Sequence, residues 1–443
     1  MPRLFGTDGI RGVANVELRP TLAYELGRAT VARLMPGGGN LLVGQDTRRS
    51  GDMFVAAIVA GATSLGADVH RLGVCPTPAV AHVVSDGPFD AAIMVSASHN
   101  PAADNGLKVL DGNGLKLDDP IEDELEDLIG RAGELGGPRN EGLGREVDAR
   151  GELDRYVEHR LRLAAGATND LRIVLDCANG SGGVVAPQIL AATGAEVDVN
   201  FNEPDGVNIN LDCGATAPHH AAQLVAQSGA DVGFALDGDA DRCVAIDERG
   251  RVVDGDQLIG IIGLDRLARG ELAGGIVVVS VLSNGGLEAA IGAAGGRLAR
   301  TPVGDKYILE GMLVMNAGLG GEKSGHIIVR EHTTSGDGIV TALEVLRIIA
   351  RTGRRLSDLA ADIPLYPQQQ RTIPVRHKEQ WEADPAFADA VARAQAAIDG
   401  RGRVLVRPSG TEQALRIMVE GETETAVASV ADELAALASQ RLN

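Results

Sequence analysis

The sequence predicts an α/β protein: three related α/β domains with mixed, mostly parallel sheets, followed by a smaller C-terminal α+β domain. Three observations predict it. An apolar run that ends in a glycine-containing polar turn and leads into a helix-like segment occurs three times, at Leu41–Arg48, Ile173–Gly180 and Ile276–Gly285. Each copy is followed by a Gly-x-x-apolar restart: Gly66-Ala-Asp-Val69, Gly194-Ala-Glu-Val197 and Gly295-Gly-Arg-Leu298. The residues after 371 hold no full copy, only a strand, a Gly-containing loop at 407–412, a second strand and an Ala-rich helix.

Short apolar β-branched runs alternating with helical segments make βαβ units around a parallel sheet. The breaks between units fall where Gly, Pro and charge accumulate. Residues 132–150 follow an acidic helix around Ile121–Leu128, residues 247–256 form a polar turn region, and residues 364–371 read as a connector. These breaks divide the chain into domains at 1–150, 151–250, 251–366 and 367–443. The length of 443 residues suits two to four domains.

Composition bounds the function. Hydrophobic residues make up 44% and charged residues 23%, which excludes disorder as the main state. Aromatics are only 2%, so Ala, Val, Leu and Ile must fill the core. The 58 glycines show no collagen-like period and instead mark turns and close backbone approaches. A net charge of −20 argues against a nucleic-acid partner and against docking on anionic lipid. It leaves room for a small phosphorylated substrate, which feels only the local field of its pocket. No signal peptide and no membrane span is expected, and Cys75, Cys177, Cys213 and Cys243 lack metal spacing and read as reduced cytosolic thiols.

Five segments carry chemistry. In Leu236-Asp-Gly-Asp-Ala-Asp-Arg242, carboxylates sit at i, i+2 and i+4 between apolar runs. On extended backbone these share a face. Clustered carboxylates repel unless a cation neutralises them, and all-oxygen donors suit Mg²⁺ or Ca²⁺. A calcium loop puts Glu248 twelfth from Asp237, but the sixth position, which needs glycine, is Arg242. A solvated acidic turn is the other alternative. In Ile93-Met-Val-Ser-Ala-Ser-His-Asn-Pro101, an apolar run ends in hydroxyl, imidazole and amide groups shaped by Pro101, so Ser98 beside His99 suggests a nucleophile. A capping turn explains the same residues, and a Ser–His–Asp hydrolase lacks its Gly-x-Ser-x-Gly elbow.

Gly320-Gly-Glu-Lys-Ser-Gly-His326 gathers Glu322, Ser324 and His326 between glycines, a set that suits sugar hydroxyls or a plain polar turn. It lacks the spacing of a Walker P-loop. Arg407-Pro-Ser-Gly-Thr-Glu412, after a strand at Val404–Val406, makes an anion nest or a tight turn, with Arg416 on the next strand. The glycines of Leu4-Phe-Gly-Thr-Asp-Gly-Ile-Arg-Gly12 allow a tight path that aims Arg11 inward; a flexible arm is the alternative.

Together these motifs resemble the α-D-phosphohexomutase superfamily, in order, in spacing and over essentially the whole chain. Within it, Phe5-Gly-Thr-Asp-Gly-Ile-Arg-Gly12, Ala97, Pro302-Val-Gly-Asp-Lys-Tyr307 and Thr333-Thr-Ser-Gly-Asp-Gly338 are most similar to the bacterial members that act on glucosamine phosphate. The resemblance implies four domains around a central cleft, with one loop from each. It implies interconversion of glucosamine 6-phosphate and glucosamine 1-phosphate, on the route to UDP-N-acetylglucosamine; mannose or glucose phosphate is the alternative substrate. It implies that Ser98 is carried as phosphoserine, that Ser98, Asp237, Asp239 and Asp241 hold one Mg²⁺ per subunit, and that glucosamine 1,6-bisphosphate is activator and intermediate. Glu322 and Ser324 would hold sugar hydroxyls, with Arg242 also on the substrate, while Arg407, Ser409, Gly410 and Thr411 grip the non-reacting phosphate. Arg11 and Lys108 would stabilise the transferring group. His326, then His99, is the candidate for proton transfer. Lys323 departs from the Gln or Met usual in the family, and Gln413-Ala414 from the usual Pro-Leu. A cytoplasmic location is implied, and a homodimer is one assembly the family allows. Two other classes compete: a metal-dependent phosphatase, which needs no second phosphate grip, and a sugar-phosphate-binding regulator, which would not need Ser98 or every aspartate.

Overall fold

A computed structural model describes residues 3–167, 170–398, 402–409 and 413–442. They form two compact units. One holds residues up to Val281 together with Ala294–Asp362, and the other holds Leu282–Ala293 together with the residues from Ile363 on.

The larger unit contains three sheets. The first is built from β1 (Ile10–Val13), β2 (Gly39–Gln45), β3 (Ala67–Val74), β4 (Ala91–Val95), β5 (Asp104–Asp111) and β6 (Glu146–Asp148), in the order β1-β5-β4-β2-β3-β6. The second is built from β7 (Arg172–Asp176), β8 (Glu196–Asn200), β9 (Val232–Leu236), β10 (Cys243–Asp247) and β11 (Val252–Val253), in the order β11-β10-β9-β7-β8. The third is built from β12 (Ile276–Ser280), β13 (Arg297–Thr301), β14 (Leu319–Gly321) and β15 (Ile327–Val329), in the order β13-β12-β14-β15.

One strand order underlies all three. The first strand of each repeat lies between the second and third, both parallel to it, and the fourth returns antiparallel to the third. The three apolar runs read from the sequence are the central strands β2, β7 and β12, and the Gly-x-x-apolar restarts open β3, β8 and β13. Central strands are covered on both faces, which is why they read as continuous Val/Ile/Leu runs; Leu41, Leu42, Val43, Ile173, Val174, Val277 and Val278 are almost fully buried. The core follows the composition, with aliphatic side chains packed around very few aromatic ones.

Three expectations are refined. The segment 4–12 leads into an edge strand, β1, paired antiparallel to β5. Residues 132–150 contribute β6 beside β3, so part of that break belongs to the sheet. The turn region 247–256 contains β11 and ends in a helix from Gly255, capped by Asp254, whose side chain accepts from the Gln257 amide.

The smaller unit has an antiparallel sheet of β16 (Gln368–Pro374), β17 (Arg403–Pro408) and β18 (Ala414–Glu420), with β18 central. Phe387, Leu415, Ile417, Val419, Ala431 and Leu434 form its core with the helices Pro385–Ile398 and Glu424–Arg441. The connector is shorter than expected, because β16 begins at Gln368. No described helix is long and apolar enough to cross a membrane. All four cysteines are buried and unpaired.

Candidate active site

The shared strand order places the chemistry. The link from third to fourth strand is the loop with Ser98 in the first sheet, the loop with Asp237, Asp239 and Asp241 in the second, and the loop with Glu322, Ser324 and His326 in the third. Three equivalent turns therefore supply three different sets of groups.

The Ser98 loop is held rigidly. Ser98 is fully buried and adopts a left-handed backbone (φ +52°), unusual for a residue with a Cβ. Its amide donates to Ser96 Oγ at 2.9 Å, and Ser96 Oγ donates to Asp46 Oδ2 at 2.6 Å. Asp46 also accepts from the buried Arg48 guanidinium at 2.9 Å. Arg48 in turn donates to the carbonyls of Ser98 and Asn100 at 2.9 and 2.8 Å and to that of Asp104 at 3.0 Å. The Asn210 amide group reaches Ser98 O at 2.9 Å from the second sheet's side. Gly238 makes that approach feasible: a Cβ there would stand 2.7 Å from Ser98 O and 2.9 Å from Asn210 Nδ2.

Ser98 Oγ donates to Asp237 Oδ2 at 2.6 Å, joining the first two loops at the atom that matters. Asp237, Asp239 and Asp241 are all buried, and each offers a carboxylate oxygen within 4.8 Å of the others. Thr77 Oγ1 donates to Asp239 Oδ2 at 2.5 Å, and Lys108 Nζ lies 2.9 Å from that oxygen and 3.4 Å from Asp241 Oδ2. Asp239 Oδ1 and Asp241 Oδ1 are buried without a hydrogen-bond partner. Buried acceptors left unpaired are costly, and hard, charged oxygen donors at this spacing fit a divalent cation.

The charges are strongly coupled. Burial pushes the Asp237 carboxyl well above the ordinary carboxylate range, and the charges on Asp241 and Asp239 push the same way. Asp241 is held well below that range: burial opposes its charge, but Lys108, His326 and Arg242 outweigh burial. Lys108 is itself raised, with burial overcome by Asp239, Asp8 and Asp241. Behind it runs a chain of alternating charge in which Asp8 pairs with Arg11 and Lys116, and Lys116 pairs with Asp305. Arg11 also reaches Asn100 Oδ1, and Arg242 Nε lies 3.7 Å from Asp241 Oδ1.

Both histidines stand near this centre in different surroundings. His99 Nδ1 lies 3.4 Å from Ser98 Oγ, and burial together with the charges of Arg242 and Arg11 lowers its pKa to about 4. His326 is buried, with Nδ1 3.7 Å from Asp241 Oδ1. The Gly336 amide donates to its Nε2 at 3.0 Å, so the neutral ring carries its proton on Nδ1, facing Asp241. Burial opposes a charge on His326, and Asp241 and Asp305 more than offset it, raising its pKa.

The third loop is open. Glu322 is half-buried and accepts from the Gly304 amide at 3.2 Å, while Ser324 is exposed. Lys323 Nζ lies 4.0 Å from Asp254 Oδ2, the cap of the helix that starts at Gly255. In the smaller unit, Arg407 belongs to β17 rather than to a loop and sits opposite Arg416 in register. The strand continues through Pro408 because β17 is an edge strand, where a missing N–H costs no ladder bond. Ser409 is buried, and its amide donates to Ala414 O at 2.9 Å. Gly410 and Thr411 lie outside the described residues.

Sequence reasoning named Ser98, the three aspartates, Lys108, Arg11, Arg242 and His326, and the structure brings these together. It missed Thr77, Asp46, Arg48, Asp8, Lys116, Asp305 and Asn210 as supports. Four of these lie in stretches that the sequence singles out: Asp46 and Arg48 at the polar end of the first apolar run, Asp8 in Leu4–Gly12 and Asp305 in Pro302–Tyr307.

Models of the phosphoglucomutase/phosphomannomutase family match the chain in succession: alpha/beta/alpha domain I at residues 2–135, domain II at 154–250, domain III at 254–366 and the C-terminal domain at 372–437. The chain is 51% identical to the phosphoglucosamine mutase of Moorella thermoacetica, covering 95% of this chain and 96% of that protein. It is 48% identical to the one from Desulforudis audaxviator, covering 98% and 97%. A phosphoglucomutase/phosphomannomutase family protein from Burkholderia thailandensis has a similar structure, with a TM-score of 0.82, 25% identity and coverage of 99% and 97%. The N-acetylphosphoglucosamine mutase of Aspergillus fumigatus, solved with GlcNAc-6P and magnesium, shares the fold (TM-score 0.71, 19% identity, coverage 100% and 96%).

Proposed function

We infer the function from one premise: the chain belongs to the phosphoglucomutase/phosphomannomutase family, the α-D-phosphohexomutases. On it we propose that the enzyme is an isomerase that interconverts glucosamine 6-phosphate and glucosamine 1-phosphate, the activity for which its curated relatives are named, and so serves the route to UDP-N-acetylglucosamine. The observation that carries the chemistry is Ser98 Oγ, 2.6 Å from Asp237 at the edge of three buried carboxylates and ringed by Lys108, Arg11 and Arg242.

Ser98 carries a phosphoryl group and passes it to the free hydroxyl of the hexosamine monophosphate. Its Oγ–P bond breaks as the sugar O–P bond forms, leaving the 1,6-bisphosphate and a free serine. The bisphosphate then presents its other phosphate, and Ser98 takes that group back. Phosphoryl transfer is mainly a matter of positioning and charge neutralisation. Asp46, Arg48 and Asn210 fix the serine backbone, while Lys108, Arg11 and Arg242 face the transferring oxygens. Asp237, Asp239 and Asp241 would hold Mg²⁺ with the phosphoserine. That ion, when bound, supplies positive charge at the phosphoryl oxygens. His326 and His99 are the groups assigned to proton transfer, with His99 nearer Ser98 and kept neutral by its surroundings. Glu322 and Ser324 are assigned to sugar hydroxyls, and Arg407, Ser409, Gly410 and Thr411 to the substrate's other phosphate.

The same reading assigns the phosphoserine loop to residues 1–150, the metal loop to 151–250, the sugar loop to 251–366 and the phosphate loop to 367–443. Glucosamine 1,6-bisphosphate is the activator, the location is cytoplasmic, and the enzyme works alone or as a homodimer with no nucleic-acid or membrane partner. Ser98→Ala tests the core of it. Turnover is expected to vanish while the unfolding midpoint stays near that of the wild type, and a variant with near-wild-type kcat would sink the nucleophile. The sugar is tested by comparing kcat/KM for glucosamine, glucose and mannose phosphates. A tenfold preference for glucosamine phosphate, about 1.4 kcal/mol, is expected.

A further inference from the structure

A second group of metal-ligating side chains lies outside this centre. His219 and His220 open the helix His219–Ser228, and Asp212 faces them from the preceding turn. His219 Nε2 lies 3.1 Å from Asp212 Oδ1, and His220 Nε2 lies 3.0 Å from Asp212 Oδ2. All three residues offer ligand atoms within 4.8 Å of one another, and all three are accessible to solvent. Donors bound to one ion at about 2.0–2.2 Å stand roughly 3.3 Å apart in a tetrahedral shell. Two nitrogen–oxygen spacings near 3 Å therefore need little adjustment to close around a metal, with solvent filling the remaining positions. Two imidazoles and one carboxylate suit zinc, nickel or copper and are a poor set for magnesium.

The turn that carries Asp212 also carries Asn210, whose amide group donates to Ser98 O and, at 3.1 Å, to Asn100 O. The two residues stand two positions apart in that turn, both with left-handed backbones (φ +53° for Asp212 and +58° for Asn210).

We propose that Asp212, His219 and His220 form a surface site for a divalent transition metal of the zinc class, and that its occupancy acts on the Ser98 loop through Asn210. The site uses no residue of the catalytic centre and is independent of which sugar the enzyme takes.

The test uses the whole protein, stripped of metal with a chelator and then saturated with Mg²⁺. Zinc chloride is titrated in by calorimetry into wild type and into a double variant carrying His219→Ala and His220→Ala. Wild type should bind one zinc equivalent that the double variant lacks, while the zinc-free turnover and unfolding midpoint of the two agree. Wild-type turnover should fall about fivefold as that equivalent fills, the lower end of ordinary coupling between sites, and the variant's should not. An equivalent that persists in the double variant, or none in wild type, overturns the site. Equal inhibition of both proteins places the effect on the aspartate triad and overturns the coupling to Asn210.

Discussion

The loops at 237–242 and 322–326 occupy the same place in two copies of one strand order, and they are built in opposite ways. The first buries three carboxylates and ties each to another part of the unit: Asp237 to Ser98, Asp239 to Thr77 and Lys108, Asp241 to Lys108 and His326. The second leaves Ser324 exposed and Lys323 half-buried, with Nζ 4.0 Å from Asp254, and seals only its last residue, His326, against Asp241. Burial makes electrostatics strong and unforgiving, whereas exposure makes them weak and adjustable. One loop architecture thus carries a sealed charge cluster in one copy and accessible polar side chains in the other.

Substitutions should separate the two. Asp241→Ala removes a carboxylate from the sealed loop and should lower kcat about 10²–10³-fold, the range for losing one preorganised electrostatic group. Thermal scans with and without Mg²⁺ check the same variant, since it should lose the metal-dependent rise in midpoint expected of wild type. A kcat within tenfold of wild type would mean that the triad is not a catalytic unit. Thr77→Ala leaves the carboxylates and deletes only a hydroxyl held against Asp239; about a 10–100-fold loss in metal affinity or rate is expected, as for outer groups around a metal.

The support behind the sealed loop should show itself in acid. His82 and His159 stack edge to face at 4.9 Å beside the buried Tyr156–Arg160–Asp337 cluster. Burial and the Arg160 charge lower both pKa values to about 4. An unfolded histidine titrates near 6.5. Between these values the unfolded chain binds more protons than the folded one, so their contribution is present above pH 6.5 and is lost as pH falls toward 4. Urea midpoints across that window should drop for wild type and drop less for a variant carrying His82→Gln and His159→Gln; parallel curves would remove these histidines from the account. The smallest effect belongs to the open loop. Lys323→Gln should shift stability by less than about 0.5 kcal/mol, as exposed ion pairs do, and kcat by less than about twofold. A large fall in kcat would place Lys323 in the reaction and undo the contrast.

Much of this was legible in the chain. The three central strands and their restarts announce themselves by continuous apolar runs, and Asp237, Asp239 and Asp241 by a period that only extended backbone aligns. The supports were not. Ser96 meets Asp46 across 50 residues, and Thr77 meets Asp239 across 162. The first pairing is made by neighbouring strands of one sheet and the second by loops of two sheets meeting, and nothing local in Thr77 or Asp46 distinguishes them from ordinary turn and helix-start residues. β1 and β6 were missed for a related reason: edge strands bury little and so carry weak alternation. The strand expected at Val404–Val406 extends through Arg407 and Pro408, since an edge strand tolerates a proline.

The span between Ser98 and its carboxylate has a consequence during synthesis. Asp237 lies 139 residues downstream of Ser98. A ribosome adding about 5–20 residues per second emits that stretch in roughly 7–30 s. Through that interval the chain holds Ser98 and the Asp46–Arg48 network of its own sheet, while Asp237, and for most of it Asn210, has not emerged. A truncated product that ends before residue 237 therefore carries Ser98 without the carboxylate that accepts from it.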